Sequence, residues 1–118
     1  MPVCVTFALS YSAQAQFSQI GPKLVGSGSI GNSAQGISVS VSADGNTAIV
    51  GGEKDNGGRG AAWIWERYEG LWNQVTKLVG TGAVESPLGS RQGAGVAISA
   101  DGKTAIVGGL NDIGTWIW

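Results

Sequence analysis

The sequence predicts an all-β protein built from tandem four-stranded antiparallel units. Three observations support this fold class: a Gly-rich composition with few charges, an internal repeat, and turn-forming dipeptides between short β-branched segments. The chain of 118 residues contains 21 Gly and 5 Trp, and 13% of its residues are charged. Long solvated helices are usually rich in Glu, Lys and Ala, whereas Val, Ile, Thr and Trp among many Gly favour short strands joined by tight turns.

The chain aligns with itself over most of its length. Residues 39–52 match residues 96–109 at an offset of 57, with identity at 11 of 14 positions. The tetrapeptide KLVG at residues 23–26 recurs at 77–80, and WIW at 63–65 recurs at 116–118, with offsets of 54 and 53. Offsets that differ by a few residues indicate constant elements joined by loops of variable length.

Each copy of the repeat divides into short predicted strands. The first strand covers residues 37–41 and 95–98, the second 47–50 and 104–107, the third 61–66 and 115–118, and the fourth 71–79 in the first copy. Asp44-Gly45 and Asp101-Gly102 predict type I′ hairpin turns, because Asp-Gly readily supplies positive φ angles. Glu69-Gly70 predicts the turn before the fourth strand.

Four antiparallel strands in a repeat of this length are typical of a β-propeller blade, and blades must stack because one alone cannot cover both of its faces. The predicted divisions are residues 16–35 (a fourth strand over 16–25 of a preceding or closing blade, and a linker), 36–79 (a complete blade) and 80–118 (a linker and three strands of the next blade). About two blades form an incomplete ring, since closed rings have roughly four to eight. Self-association or further blades would be needed to close it.

The first fifteen residues differ from the rest and predict a signal peptide. Residues 2–10 are largely apolar, and Ala13-Gln14-Ala15 forms an A-x-A cleavage site. No Lys or Arg precedes the apolar run, so a misplaced start codon or an ordinary apolar strand stays open as an alternative. The single cysteine, Cys4, lies in this segment, and export would therefore leave a mature chain without a thiol.

Residues 35–52 (QGISVSVSADGNTAIVGG), followed by GAAWIW at 60–65 and WNQ at 72–74, resemble a bacterial FG-GAP-type repeat, a family related to the propeller of integrin α subunits. The resemblance covers residues 16–118. It implies a propeller of about seven blades in an exported or surface protein that serves binding rather than chemistry. Gln35-Gly36 stands in place of the name-giving Phe-Gly, Gly51-Gly52-Glu53 replaces Gly-Ala-Pro, and the calcium loops of some members are not reproduced.

Calcium is the one cofactor that the loops bring into question. A D-x-[DN]-x-[DN]-G loop binds Ca²⁺ because alternate side chains converge on the ion as oxygen ligands. Residues 53–57 offer Glu53 and Asp55 with Lys54 between them, and the second copy offers only Asp112. The favoured interpretation is an ordinary solvated loop without a cofactor, with weak calcium ligands at Glu53, Asp55 and Asp112 as the alternative.

The tryptophans allow two interpretations. Trp63 and Trp65 lie two apart on a strand and share a face, and Trp116 and Trp118 repeat this spacing. The favoured interpretation is packing between blades, where each ring buries about 150–250 Å². The alternative is a repeated stacking platform for sugars, to which Trp72, expected to be partly exposed after its turn, would also contribute.

Several function classes are disfavoured by composition. The chain has no His, so it lacks a Ser-His-Asp or Cys-His arrangement and any imidazole metal ligand, and no two carboxylates form a persuasive acid–base pair. The seven basic residues are scattered, which disfavours nucleic acid, and no apolar run approaches the roughly 18 residues that span a membrane.

The sequence therefore predicts a non-enzymatic, extracytoplasmic scaffold (secreted, periplasmic or on the cell surface) for a protein or glycan ligand whose identity stays open. A lectin-like propeller that uses the repeated Trp residues is the alternative. A third interpretation is a non-catalytic part of a larger secreted enzyme.

Overall fold

The computed structural model describes residues 16–84 and 86–118. Within them seven strands form two antiparallel sheets, and one short helical turn, α1 (Asp55–Gly58), lies between the second and third strands. The prediction of an all-β protein is confirmed. Residues 1–15, with the predicted signal peptide and Cys4, lie outside the described part. In the described part no helix has the length and apolar character needed to cross a membrane.

The first sheet contains four strands in chain order: β1 (Ser38–Val41), β2 (Thr47–Gly52), β3 (Ala61–Tyr68) and β4 (Leu71–Leu78). Each strand pairs antiparallel with the next. Glu69 and Gly70 connect the last two with positive φ angles of 50° and 77°. Two positive φ angles are the signature of a type I′ turn, so the predicted turn is present and matches the twist of the strands that it joins.

The second sheet contains β5 (Gln92–Ile98), β6 (Ala105–Gly109) and β7 (Thr115–Ile117), again in chain order. Its register repeats that of the first sheet: Val50 lies opposite Trp63, and Val107 lies opposite Trp116. The sequence repeat is therefore also a structural repeat, and the predicted first, second and third strands form in both copies.

Residues 16–25, predicted as a fourth strand, do not form one. They have no regular secondary structure, and Phe17, Ile20 and Val25 are exposed. A fourth strand exists only as the edge of a sheet, and this segment has no third strand beside it among the described residues. The pattern of residues that favours a strand is present, but the hydrogen-bonding partner is not.

The turns at Asp44-Gly45 and Asp101-Gly102 differ from the predicted type I′. Gly45 has a φ of 72°, but Asp44 is not in the positive-φ region. The Asp44 carboxylate instead accepts hydrogen bonds from Ser42 Oγ (2.6 Å) and Asn46 N (2.9 Å), which stabilises a local Asx-type turn. The second turn repeats these contacts with Ser99, Asp101, Gly102 and Lys103.

The main hydrophobic core lies between the two sheets. Ile49, Ala62 and Leu78 of the first sheet pack against Ala105 and Val107 of the second, and all five are buried. Half-buried side chains around them complete this core: Ile64, Val96 and Ile98. Burying a side chain the size of Val or Ile contributes about 1.5–3 kcal/mol, so this contact is a main source of the stability of the pair of sheets.

Backbone hydrogen bonds join the two repeats at one end of the sheets. Gln92 N donates to Arg59 O (3.0 Å), and Arg91 N donates to Gly58 O (2.8 Å). Gly60 and Gln92 form an isolated parallel bridge. The chain segments before β3 and before β5 therefore run side by side, and this fixes the position of the loops at that end.

The two Asx-type turns predict a pH dependence of stability. The hydrogen bond from Ser42 Oγ, followed by that from Asn46 N, holds the pKa of Asp44 below its ordinary value of 3.8. Ser99 Oγ and Lys103 N likewise lower the pKa of Asp101. A carboxyl whose pKa is lower in the folded state stabilises the fold above its unfolded pKa, and this contribution is lost as the pH falls through the folded value.

The variant D44A/D101A should therefore be less stable than the parent chain at neutral pH, and the difference should narrow below pH 3.8. Urea unfolding of both proteins over a pH series measures the difference. A difference that is constant down to the acid end would contradict an ionic contribution from these turns.

Candidate functional site

Trp63 and Trp65 are core residues. Trp63 is completely buried, Trp65 is nearly so, and both pack with Ala61 on the side of the first sheet that faces away from the second sheet. Neither indole has a ring face free to stack on a sugar. Both indoles thus pack in the core, which is the favoured interpretation of the sequence for these two positions rather than the sugar-platform alternative.

The buried Trp63 holds the loop that precedes β1. Its indole Nε1 donates to Ser27 O (2.8 Å). Gly26 lies so close above the ring that a Cβ there would overlap it. A buried indole N–H requires an acceptor, and here the loop backbone provides one.

Gln35 holds the same loop from the other side. Its Oε1 accepts a hydrogen bond from Gly26 N (2.7 Å), and its Nε2 donates to Gly26 O (3.0 Å). The side-chain amide thus pairs with both polar groups of one glycine, much as a neighbouring strand would. This arrangement satisfies backbone groups that the buried position of Gly26 removes from water.

Asp55 completes these contacts. It is buried, and its Oδ1 accepts a hydrogen bond from Ile30 N (2.8 Å). Its Oδ2 lies 2.7 Å from Lys77 Nζ, which also donates to Gly28 O (2.7 Å) and lies 5.5 Å from the centre of the Trp63 ring. The lysine therefore neutralises the buried carboxylate. We refer to Gln35, Asp55 and Trp63 together as the loop clamp.

The second repeat has an equivalent loop clamp formed by Gln92, Asp112 and Trp116. Gln92 pairs with Gly80 through both amide atoms, with Gly80 N donating to Oε1 (2.6 Å) and Nε2 donating to Gly80 O (3.2 Å). Asp112 Oδ2 accepts from Val84 N (2.8 Å). Trp116 Nε1 donates to the Thr81 carbonyl (2.7 Å). Three residue types thus make the same three contacts in both copies.

The carboxylates considered as calcium ligands are engaged in protein contacts. Asp55 pairs with Lys77, Glu53 lies 3.5 Å from Arg91 NH2, and Asp112 accepts from a loop N–H. Among residues 16–84 and 86–118, no group of three or more acidic, His or Cys side chains converges as a metal site would require. The structure thus places Glu53, Asp55 and Asp112 in structural roles and does not bring them together.

The other tryptophans are more accessible. Trp72 is half-buried, and the Arg67 guanidinium lies 5.7 Å from its ring centre. Trp116 is half-buried as part of its clamp, and Trp118 is exposed. Of the predicted sugar-stacking positions, Trp118 is therefore the exposed one, and Trp72 and Trp116 are partly accessible.

A polar groove lies where the loop before β3 meets the loop before β5; we call it the junction groove. Asn56, Arg59, Ser86 and Ser90 contribute to its lining, and it encloses about 210 Å³. A second hollow, which shares Gly57 with the first and which we include in the junction groove, is lined in part by basic and amide side chains: Lys54, Arg91 and Asn111. Arg59 in the first hollow and Lys54 in the second are exposed, so the two hollows together present positive charge to solvent.

The sequence analysis did not predict a site role for Gln35, for Gln92 or for the basic residues of the junction groove. The two glutamines recur at an offset of 57, the same as the hairpin segments that follow them. That recurrence was a usable signal. The basic residues do not recur, and only the approach of two loops brings Lys54, Arg59 and Arg91 to one place.

The loop clamp predicts a sharp difference between two glycine substitutions. Gly26→Ala should destabilise the chain by about 1–3 kcal/mol, because the added methyl group overlaps the Trp63 ring. Gly114→Ala is the matched control, since a Cβ there meets open space and its effect should stay within about 0.5 kcal/mol. Chemical unfolding measures both, and equal effects would contradict the close packing of the loop on the indole.

No family model matches the chain, and neither the curated proteins nor the solved structures include one with significant similarity to it.

Proposed function

We propose that this chain forms two successive β-propeller-type repeats of an exported protein and acts as a non-enzymatic binding scaffold, with the junction groove as its ligand contact. The observation that carries the proposal is the recurrence of the loop clamp. The recurring polar side chains hold the loops in place, and the side chains that differ between the repeats are displayed at the loop end.

The propeller arrangement is supported by the order of the strands and by how the sheets pack. The first sheet is a four-stranded antiparallel meander, as expected for one blade. The second sheet is a three-stranded meander with the same register, as expected for the start of the next blade. The resemblance of residues 35–52 and 60–65 to FG-GAP-type repeats supports the same arrangement. Export is supported by the A-x-A motif at Ala13-Gln14-Ala15.

A binding role rather than catalysis is supported by how the acidic side chains are used. Asp55 and Glu53 have cationic partners, and Asp44 and Asp101 stabilise turns. None of these four is available as a general acid or base facing the junction groove. The exposed groups there are the cations of Arg59 and Lys54, which bind anionic or strongly polar groups but do not by themselves perform chemistry.

The proposed ligand is therefore a protein segment or glycan that carries negative charge. A guanidinium beside amide and hydroxyl groups suits carboxylate or sulfate, because both accept several parallel hydrogen bonds. The groove is small and open, so it would contact an extended side chain or a single sugar unit rather than enclose a whole small molecule.

Arrays of acidic and neutral peptides, and of sulfated and neutral glycans, test this proposal. The parent chain should bind acidic or sulfated members, and R59A/K54A should lose about tenfold or more in affinity for them, since it removes both exposed cations. Lys103→Ala is the matched control, because Lys103 is exposed on the turn between β5 and β6. Undiminished binding by R59A/K54A would show that the groove is not the contact.

A lectin-like role through Trp72 is the second candidate, because this indole is partly accessible and has a cation beside it. It predicts binding to neutral glycans that Trp72→Ala abolishes and Tyr68→Ala, a control at an exposed aromatic residue, preserves. Neutral-glycan binding that withstands Trp72→Ala would contradict this candidate. Glycan binding that is lost in R59A/K54A but kept in Trp72→Ala would favour the junction groove as the contact instead.

A further inference from the structure

The two sheets of the chain meet through unlike faces. The forward face of the first sheet, which carries Ser40, Ile49 and Ile64, packs on the rear face of the second sheet, which carries Val96 and Val107. Polar contacts accompany the apolar ones, and Ile98 N donates to Ser40 Oγ (3.2 Å). The junction is thus head to tail, not two-fold symmetric.

Each face of this junction has an unpaired counterpart elsewhere in the chain. The forward face of the second sheet carries Ile106 and Ile117, the counterparts of Ile49 and Ile64, and these are 41% and 66% exposed. The rear face of the first sheet carries Val39 and Val41, which are 66% and 57% exposed. Their equivalents in the second sheet, Val96 and Ile98, pack in the core.

The edges of the sheets show the same complementarity. In the first sheet β4 pairs with β3 and places Lys77 opposite Trp63 and Leu78 opposite Ala62. In the second sheet β7 pairs with β6, and no described strand lies on its other side. Residues 23–26 have the same sequence as residues 77–80, yet they are not part of a sheet.

The two residues equivalent to a salt bridge of the first repeat are likewise not paired with each other within one chain. Lys77 neutralises the buried Asp55, and the equivalents of these residues are Lys23 and Asp112. Asp112 already accepts the loop N–H of Val84, as Asp55 accepts that of Ile30. Lys23 is exposed, and neither it nor Asp112 forms a salt bridge among the described residues.

Chain connectivity links all three features. The β4 strand leads through residues 79–91 into β5, and residues 16–25 lead through residues 26–37 into β1. A copy whose rear face docks on the forward face of another copy would therefore bring its residues 16–25 to the free edge of β7. It would place its Lys23 beside Asp112 by the geometry that already places Lys77 beside Asp55.

We propose that a second copy of this chain docks head to tail on the second sheet and contributes residues 16–25 as the missing fourth strand, with Lys23 pairing with Asp112. This junction rests on the propeller-type repeat proposed above, but not on any ligand. Because the interface is heterologous, each copy keeps one free face, and assembly continues until a ring closes or a filament grows. Closed rings contain about four to eight blades, and each chain supplies about two, so a ring would contain roughly two to four copies.

Charge reversal at the two ends of the pair gives a specific test. K23D should have two acidic groups at the junction and D112K two basic groups, so each alone should assemble about tenfold or more weakly than the parent chain. A one-to-one mixture restores an opposite-charge pair at every junction between unlike copies, and assembly should recover. Light scattering on a sizing column measures the molar mass over a concentration series.

Three further variants keep the result independent of folding. D112N retains an acceptor for Val84 N but removes the charge, and it should also weaken assembly. Val39 is exposed in the single chain, so Val39→Asp should block docking without altering the circular dichroism spectrum. Lys103→Asp is the control and should change neither the assembly nor the spectrum. A monomeric parent chain at all concentrations, or a mixture that fails to recover, overturns the junction; ligand binding that still depends on Arg59 would leave the scaffold proposal standing.

Discussion

In both repeats a tryptophan indole, buried at Trp63 and half-buried at Trp116, donates its N–H to the backbone of the loop above it, and the other contacts are arranged around that hydrogen bond. The loops before β1 and β5 are rich in Gly and Ser, with few apolar side chains of their own to hold them. Trp63 and Trp116 provide the apolar surface, the two glutamines pair with Gly26 and Gly80, and the aspartates accept a loop N–H. The backbone groups of the buried glycines, Gly26 and Gly80, are thereby hydrogen-bonded to protein.

This arrangement explains why a chain with so little charge and so much Gly has a defined structure. Glycine is required where the loop lies on the ring, as at Gly26, and the resulting cost in conformational freedom is offset by specific side-chain hydrogen bonds. It also separates two groups of polar residues. Those that recur hold the loops, while those that differ between copies, such as Arg59 and Lys54, are displayed at the junction groove.

Much of the fold could be predicted from the sequence because the residue patterns of the first three strands occur in both copies of the repeat. The strands around Ile49 and Ile106, and the turn at Glu69-Gly70, are local features of alternation and turn chemistry. The turn at Asp44 is also local, but its type depends on a hydrogen bond from the Ser42 hydroxyl that the Asp-Gly dipeptide alone does not indicate. Two features are not local: residues 16–25 lack a partner strand, and the junction groove exists only because two loops meet. The burial of Trp63 was the favoured interpretation of the sequence, but residue spacing alone does not predict the hydrogen bond from its indole N–H to Ser27 O.

Amide hydrogen exchange at Gly26 and Gly80 tests the central role of the loop clamp most directly. Both N–H groups donate to glutamine side-chain oxygens, Gly26 to the half-buried Gln35 at 2.7 Å and Gly80 to the buried Gln92 at 2.6 Å, although neither glycine belongs to a strand. We expect the amides of Gly26 and Gly80 to exchange as slowly as the amides of β3, and much more slowly than the amide of the exposed Gly82. Exchange of Gly26 and Gly80 at the rate of Gly82 would contradict it, because the loops would then open independently of the sheets.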